Sequence, residues 1–220
     1  GTFLADDLGG LHGAIGAMAA LRHRDQTGEG QHVDIALQDA MLFQSDGLPT
    51  LGALGIEPTR MGNEFGFAAP ANVYDCKDGA VYLGVLLDDH WKILAPIIGE
   101  PELAEHPTFA TRDERAANRD VCNMMVSEWA KQLPREQVLK TLQAAGLPAA
   151  PVNTFPEAAK DPHVQERDML QPVEFTNGVT MPITGPAAKF SRTPTKIRSA
   201  APDIGQHNEE ILTGLDMKTD

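Results

Sequence analysis

Apolar and polar positions alternate along this chain with two periods. Leu11, Ile15, Met18 and Leu21 recur at helical spacing, with small residues between them that permit close packing. Asp6 and Asp7 precede that run as a helix start signal. The helix should end within residues 22–26, and Thr27-Gly28-Glu29-Gly30 is a turn. Residues 31–37 then place Val33, Ile35 and Leu37 on one face, which predicts a strand, and residues 38–48 return to helix. Helix, strand, helix is a piece of an α/β layer.

From residue 49 to 70 the chain is rich in Gly and Pro and has no period, so it is expected to be a linker or active-site loop. Residues 71–74 and 80–87, around Lys77-Asp78-Gly79, predict a β-hairpin. A helix capped by Asp88 or Asp89 should carry Trp91, Leu94, Ile97 and Ile98 and stop at Gly99. A longer helix is expected over residues 113–133, burying Val121, Met124, Met125, Val126 and Trp129. Pro134 opens another, closed by Gly146. Beyond it the pattern predicts a short strand at 149–153, a helix at 156–169 broken by Pro162, and a second hairpin around Asn177-Gly178. An extended tail at 191–205 leads to a short helix at 207–215. No repeat or low-complexity tract occurs.

Charge narrows the partners. Eighteen Lys plus Arg against 31 Asp plus Glu give a formal net charge of −13. That argues against a nucleic-acid binder and against docking on an anionic membrane. No apolar stretch approaches the ~20 residues of a membrane span. Cys76 and Cys122 make neither a disulfide framework nor a metal-type pair, and no secretory signal stands at the start, so a cytoplasmic compartment is expected. The seven histidines are scattered without ligand spacing, so no metal is expected. No Gly-rich phosphate loop follows a strand.

The Asp6-Asp7 pair is the feature that bears on chemistry. By spacing alone it reads as a helix cap with a solvated neighbour. The same geometry sets a carboxylate against free backbone N–H groups and the positive end of a helix dipole. A firmly held, ionised carboxylate is what nucleophilic attack on an acyl group requires. Gly9 and Gly10 would leave room for a bulky thioester close to the backbone.

Several segments carry a resemblance. Ala5-Asp6-Asp7-Leu8-Gly9-Gly10-Leu11-His12, Ala19-Ala20-Leu21 and Thr27-Gly28-Glu29-Gly30-Gln31-His32-Val33-Asp34 come first. Arg60-Met61-Gly62-Asn63, Ala69-Pro70-Ala71-Asn72-Val73-Tyr74 and Cys76-Lys77-Asp78-Gly79-Ala80-Val81-Tyr82 follow. Gly146-Leu147-Pro148-Ala149-Ala150-Pro151-Val152-Asn153, Asp161-Pro162-His163, Gly185-Pro186-Ala187-Ala188-Lys189-Phe190-Ser191 and Gly205-Gln206-His207-Asn208-Glu209-Glu210-Ile211-Leu212 complete the order. Together they resemble the central and C-terminal parts of the family III CoA-transferases, the group of formyl-CoA transferase and crotonobetainyl-CoA:carnitine CoA-transferase.

The resemblance implies an α/β fold: an incomplete Rossmann-like large domain and a smaller α+β domain. Residues 1–48 would be the remnant of the large domain, 49–70 a linker, 71–181 the small domain and 182–220 the return to the large one. The family's nucleophilic aspartate lies twenty-five residues before the Gln of its Thr-Gly-x-Gly-Gln turn. Counting back from Gln31 selects Asp6, with Asp7 as second choice. The implied chemistry moves CoA from an acyl-CoA to a small carboxylic acid through an aspartyl anhydride and an aspartyl-CoA thioester. Coenzyme A thioester is then a substrate, with no tightly bound cofactor. Most CoA contacts would lie in a preceding nucleotide-binding half, and the complete protein would be an interlocked homodimer; residues 1–220 alone are not expected to be active. The α-methylacyl-CoA racemases, relatives of this family, use a glutamate where this chain has Leu87, and residues 62–70 are less glycine-rich than the loop of formyl-CoA transferase. An acyl-CoA racemase or epimerase, and a non-catalytic piece with a structural or dimerisation role, remain the alternatives.

Overall fold

A computed structural model describes residues 2–215, which divide into two compact units between Gly62 and Asn63. In the first, α1 (Leu4–Thr27) is followed by α2 (Leu37–Phe43) and α3 (Leu48–Ala53). Gly28 closes α1 in the left-handed conformation, its N–H donating to Arg24 O at 2.7 Å. The segment between α1 and α2 is irregular. The strand expected over residues 31–37 is not formed, because no described strand lies beside it to complete a ladder. Its alternation is used differently: Val33, Ile35 and Leu37 reach toward the glycine face of α1, and a Cβ added at Gly16 would stand 2.9 Å from Val33 Cγ1. Leu11, Ile15 and Met18 lie on a different side of α1 and are about 60% exposed, so the periodic stripe is not the face this unit buries. The segment expected as a linker carries α3, and its second half includes the buried Ala68 and Ala69.

The second unit holds a three-stranded antiparallel sheet in the order β1 (Ala71–Cys76), β2 (Gly79–Gly84), β3 (Ala149–Val152). The hairpin register pairs Val73 with Tyr82, and β3 joins the other edge of β2 through Ala80 and Val152. Between these strands come α4 (Asp88–Ile97), a 3₁₀ turn (Pro101–Ala104), α5 (Arg112–Ala117), α6 (Arg119–Ala130) and α7 (Arg135–Ala144). Val81 and Leu83 point from one face of β2, and with Val85 just beyond the strand they pack on Trp91 and Leu94 of α4. Cys122, Val126 and Ala130 of α6 and Val138 and Leu142 of α7 complete the core. Each large side chain buried there contributes roughly 1.5–3 kcal/mol.

The single helix expected over residues 113–133 is two. Asn118 turns its amide back, donating to Glu114 O at 2.9 Å and Thr108 O at 3.4 Å, and its own backbone leaves the helical region. Such side-chain bonds compete with helix continuation. The break also resets the buried face of α6: Val121 and Met124 are exposed, Cys122 and Asn123 are buried, and Met125 and Trp129 are half-buried. The expected cap of α4 differs too. Its N-cap is Leu87, and Asp88 lies inside the first turn with its carboxylate on Arg115.

Beyond β3, α8 (Phe155–Ala159) and α9 (Pro162–Glu166) precede a hairpin of β4 (Leu170–Glu174) and β5 (Thr180–Thr184), an extended tail, and α10 (Asn208–Gly214). A capping box starts α8: Thr154 accepts from the Glu157 N–H while Glu157 Oε2 accepts from the Thr154 N–H. Glu157 also accepts from Arg135 at 2.8 Å, and the Arg135 N–H donates to Asp78. This ties the hairpin turn, α7 and α8 together.

The Thr154 N–H, then the Arg135 guanidinium, then the Thr154 hydroxyl hold the Glu157 carboxyl down from the usual 4.5 to about 2. Its stabilising contribution is therefore fully present above pH 4.5 and is lost as pH falls through about 2. Glu157→Gln is expected to flatten the stability curve in that window and leave its shape near neutrality unchanged. Urea unfolding at a series of pH values measures this; an unchanged acid limb would refute it.

Candidate active site

Asp6 and Asp7 are exposed in the first turn of α1, and neither is its cap. The N-cap is Phe3, with no side-chain cap bond, so the helix begins before the aspartates rather than at them. The Asp7 N–H already donates to Phe3 O at 3.0 Å, whereas the N–H groups of the residues before it have no acceptor within the helix. Both carboxylates thus stand beside the positive end of a 24-residue helix and are open to a reactant.

The two glycines that follow are not equivalent. Gly9 is buried, and a Cβ there would collide with Leu37 Cδ2, so its missing side chain makes room for α2 rather than for a ligand. Gly10 is exposed, with nothing within 4 Å of the position a Cβ would take. Only Gly10 retains the space expected for a thioester.

On the same unit, a cavity of about 320 Å³ is lined by His12, Asp34, Ile35, Asp39, Ala40 and Phe43, with Ala36 between them. The His12 ring stands edge-on to Phe43, with centroids 5.4 Å apart. An imidazole and two carboxylates beside an aromatic ring can accept protons and orient a polar group. Sequence reasoning did not single out these three residues. His12 and Asp34 lie inside the motifs that flank the aspartates, but only the approach of the segment after α1 to that helix brings them to one cavity.

In the second unit, Leu87 is 58% exposed and has no titratable group, so it supplies no proton carrier at the racemase position. Tyr74, Asn123 and Glu64 form a chain of hydrogen bonds: Tyr74 donates to Asn123 Oδ1 at 2.6 Å, and Asn123 donates to Glu64 at 2.9 Å. Burial pushes the Tyr74 hydroxyl far above its usual range, and it stays neutral. Cys76 and Cys122 are both free thiols; burial raises Cys122 to about 11. Among the described residues, no group of three or more His, Cys, Asp or Glu is placed to hold a metal ion, and no helix is long and apolar enough to cross a membrane.

A helix-borne aspartate pair in a helical first unit, followed by a second unit with a three-stranded sheet, has counterparts among known proteins. The chain belongs to CoA-transferase family III, whose profile matches residues 1–208. It is 37% identical over 215 residues to the succinyl-CoA–L-malate CoA-transferase beta subunit of Chloroflexus aurantiacus, covering 96% of this chain and 53% of that protein. It is 33% identical to the succinyl-CoA:mesaconate CoA-transferase of Haloarcula marismortui, with 94% and 52% covered. A CAIB/BAIF family protein from Brucella suis superposes with a TM-score of 0.76 at 33% identity, over 98% of this chain and 56% of that one. The chain spans about half the length of the relatives it matches. The mixed helix and strand architecture is that of the family.

Proposed function

We propose that this chain is part of an enzyme that moves CoA from an acyl-CoA to a carboxylic acid, with Asp6 as the nucleophile. The observation that carries the reading is the position of Asp6: exposed in the first turn of α1, beside the open Gly10, within a chain matched to the family over residues 1–208. An Asp6 oxygen attacks the acyl carbon of the donor, breaking its C–S bond and releasing CoA thiolate with formation of a mixed anhydride. The thiolate attacks the aspartyl carbonyl, forming the aspartyl-CoA thioester and releasing the donor acid as its carboxylate. The acceptor carboxylate then attacks that thioester, expelling thiolate once more, and the thiolate takes the acceptor acyl group and restores the Asp6 carboxylate. No proton changes hands overall. Two covalent stages replace one difficult exchange.

Small dicarboxylic acids are the acceptor class this reading favours, since the two relatives above are named for malate and mesaconate. The same reading assigns residues 1–48 and 182–220 to one large domain, 71–181 to a small one, and an interlocked homodimer in a reducing, cytoplasmic compartment to the complete protein. Coenzyme A thioester is a substrate here, with no tightly held cofactor.

Incubating the complete protein with an acyl-CoA and digesting it should give a CoA adduct, visible by mass spectrometry, on the peptide that carries Asp6. An adduct on another peptide would overturn the assignment. Exchange of the substrate α-proton with deuterated water, without transfer, would favour the racemase.

A further inference from the structure

The acidic chain has one stretch of opposite character. Residues 175–202 contain Lys189, Arg192, Lys196 and Arg198 and not one Asp or Glu. At the frequency of the whole chain, with 31 acids in 220 residues, about four would be expected there. This stretch spans β5 and the extended tail, and the tail is fastened rather than loose. The Gly185 N–H donates to Met169 O at 2.8 Å, the Thr195 hydroxyl donates to Ala188 O at 2.7 Å, and the Ile197 N–H donates to Gln171 Oε1 at 3.4 Å.

Fastened in this way, the tail forms one wall of a cleft of about 570 Å³. The cleft is lined by Arg167, Lys189 and Lys196, by Gln171 and Thr195, and by the carboxylates of Glu166 and Asp168. The Asp168 carboxylate accepts from Gln171 Nε2 at 2.9 Å. Among the described residues, no carboxylate lies within 4.0 Å of the Arg167, Lys189 or Lys196 nitrogens. The three cations outnumber the two carboxylates of the cleft, on a chain whose formal net charge is −13. The volume lies within the range of small-molecule sites and exceeds what a single carboxylate fills. A planar guanidinium and two mobile ammonium groups suit the spread oxygens of a diphosphate.

From this geometry we infer that the cleft of Arg167, Lys189 and Lys196 binds a diphosphate-bearing anion. The site uses none of the residues assigned to acyl transfer, and only a CoA source for its ligand would rest on that reading. The diphosphate is either the one within a CoA thioester or a free one, and the chemistry of recognition is the same.

The test measures binding of inorganic pyrophosphate to the complete protein by calorimetry, at low and at high salt. Wild type should bind, more weakly as salt rises. The double variant Lys189→Gln, Lys196→Gln should bind at least tenfold more weakly with an unchanged circular dichroism spectrum. Glu166→Gln should bind more tightly, and Lys140→Gln, on the surface of α7, should match wild type. Displacement of pyrophosphate by CoA from this cleft would identify the coenzyme as its source, and simultaneous binding would identify a free diphosphate; either supports the site. No binding at low salt, equal binding by the double variant, or an equal loss in Lys140→Gln would overturn it.

Discussion

Asp6→Asn in the complete protein is expected to lower the rate of CoA transfer by ~10³-fold or more, a scale typical of removing an essential nucleophile. An amide oxygen cannot form the anhydride. The structure makes this substitution cleaner than sequence alone suggests. Phe3, not Asp6, caps α1, and the Asp6 side chain makes no cap bond, so no capping interaction is lost. What is lost is one negative charge beside the positive end of α1, about 0.3–1 kcal/mol, with a small propensity difference. The unfolding midpoint should therefore hardly move while the rate collapses. Asp7→Asn separates the two neighbours: it should keep most of the activity. The reverse pattern would move the nucleophile by one residue, and retained activity in both would remove the role from the pair.

The largest expected loss of stability comes from Arg115, whose side chain is fully buried in the second unit. Its Nε donates to Ala69 O at 3.0 Å, one terminal nitrogen donates to Phe109 O at 2.9 Å and Ala110 O at 3.3 Å, and the other donates to Asp88 at 3.0 Å. The guanidinium also lies 5.7 Å from the centre of the Trp91 ring. One side chain thus fastens the approach to β1, the loop before α5 and the start of α4. Arg115→Ala leaves buried carbonyls without donors and opens a cavity, and should cost about 3–5 kcal/mol. Arg115→Lys should recover less than half, because one ammonium cannot serve acceptors spread around a planar fork. Urea unfolding decides the matter, and a lysine variant as stable as wild type would show that charge alone suffices.

Local signals in the sequence were legible where the chain folds on its neighbours. The hairpin around Lys77-Asp78-Gly79, the short strand after Gly146 and the hairpin around Asn177-Gly178 all form as their turn residues indicate. What failed depended on contacts from elsewhere in the chain. The alternation of Val33, Ile35 and Leu37 is the same whether a strand partner exists or a glycine face of α1 receives the side chains. Nothing in the run from Asp113 onward marks Arg115 as buried, since an arginine is expected outside until its acceptors are seen. The break at Asn118 rests on a carbonyl ten residues away as well as one in the preceding turn. For the candidate site, Asp6 and Asp7 were visible as residues, whereas the cavity of His12, Asp34 and Asp39 exists only after the segment following α1 has turned back.

The central position of β2 has a consequence for synthesis on the ribosome. Its first neighbour, β1, is already made when Gly84 is added, but its second, Ala149–Val152, follows about 65 residues later. At ~5–20 residues per second, that edge waits unpaired for roughly 3 to 13 s. The residues translated in the interval are largely α4 to α7, the helices that cover Val81 and Leu83. The apolar face of the nascent hairpin can therefore be shielded before its hydrogen-bonding edge is closed. The order of elements along the messenger gives priority to hiding greasy surface and leaves the last backbone partner until the helices are in hand.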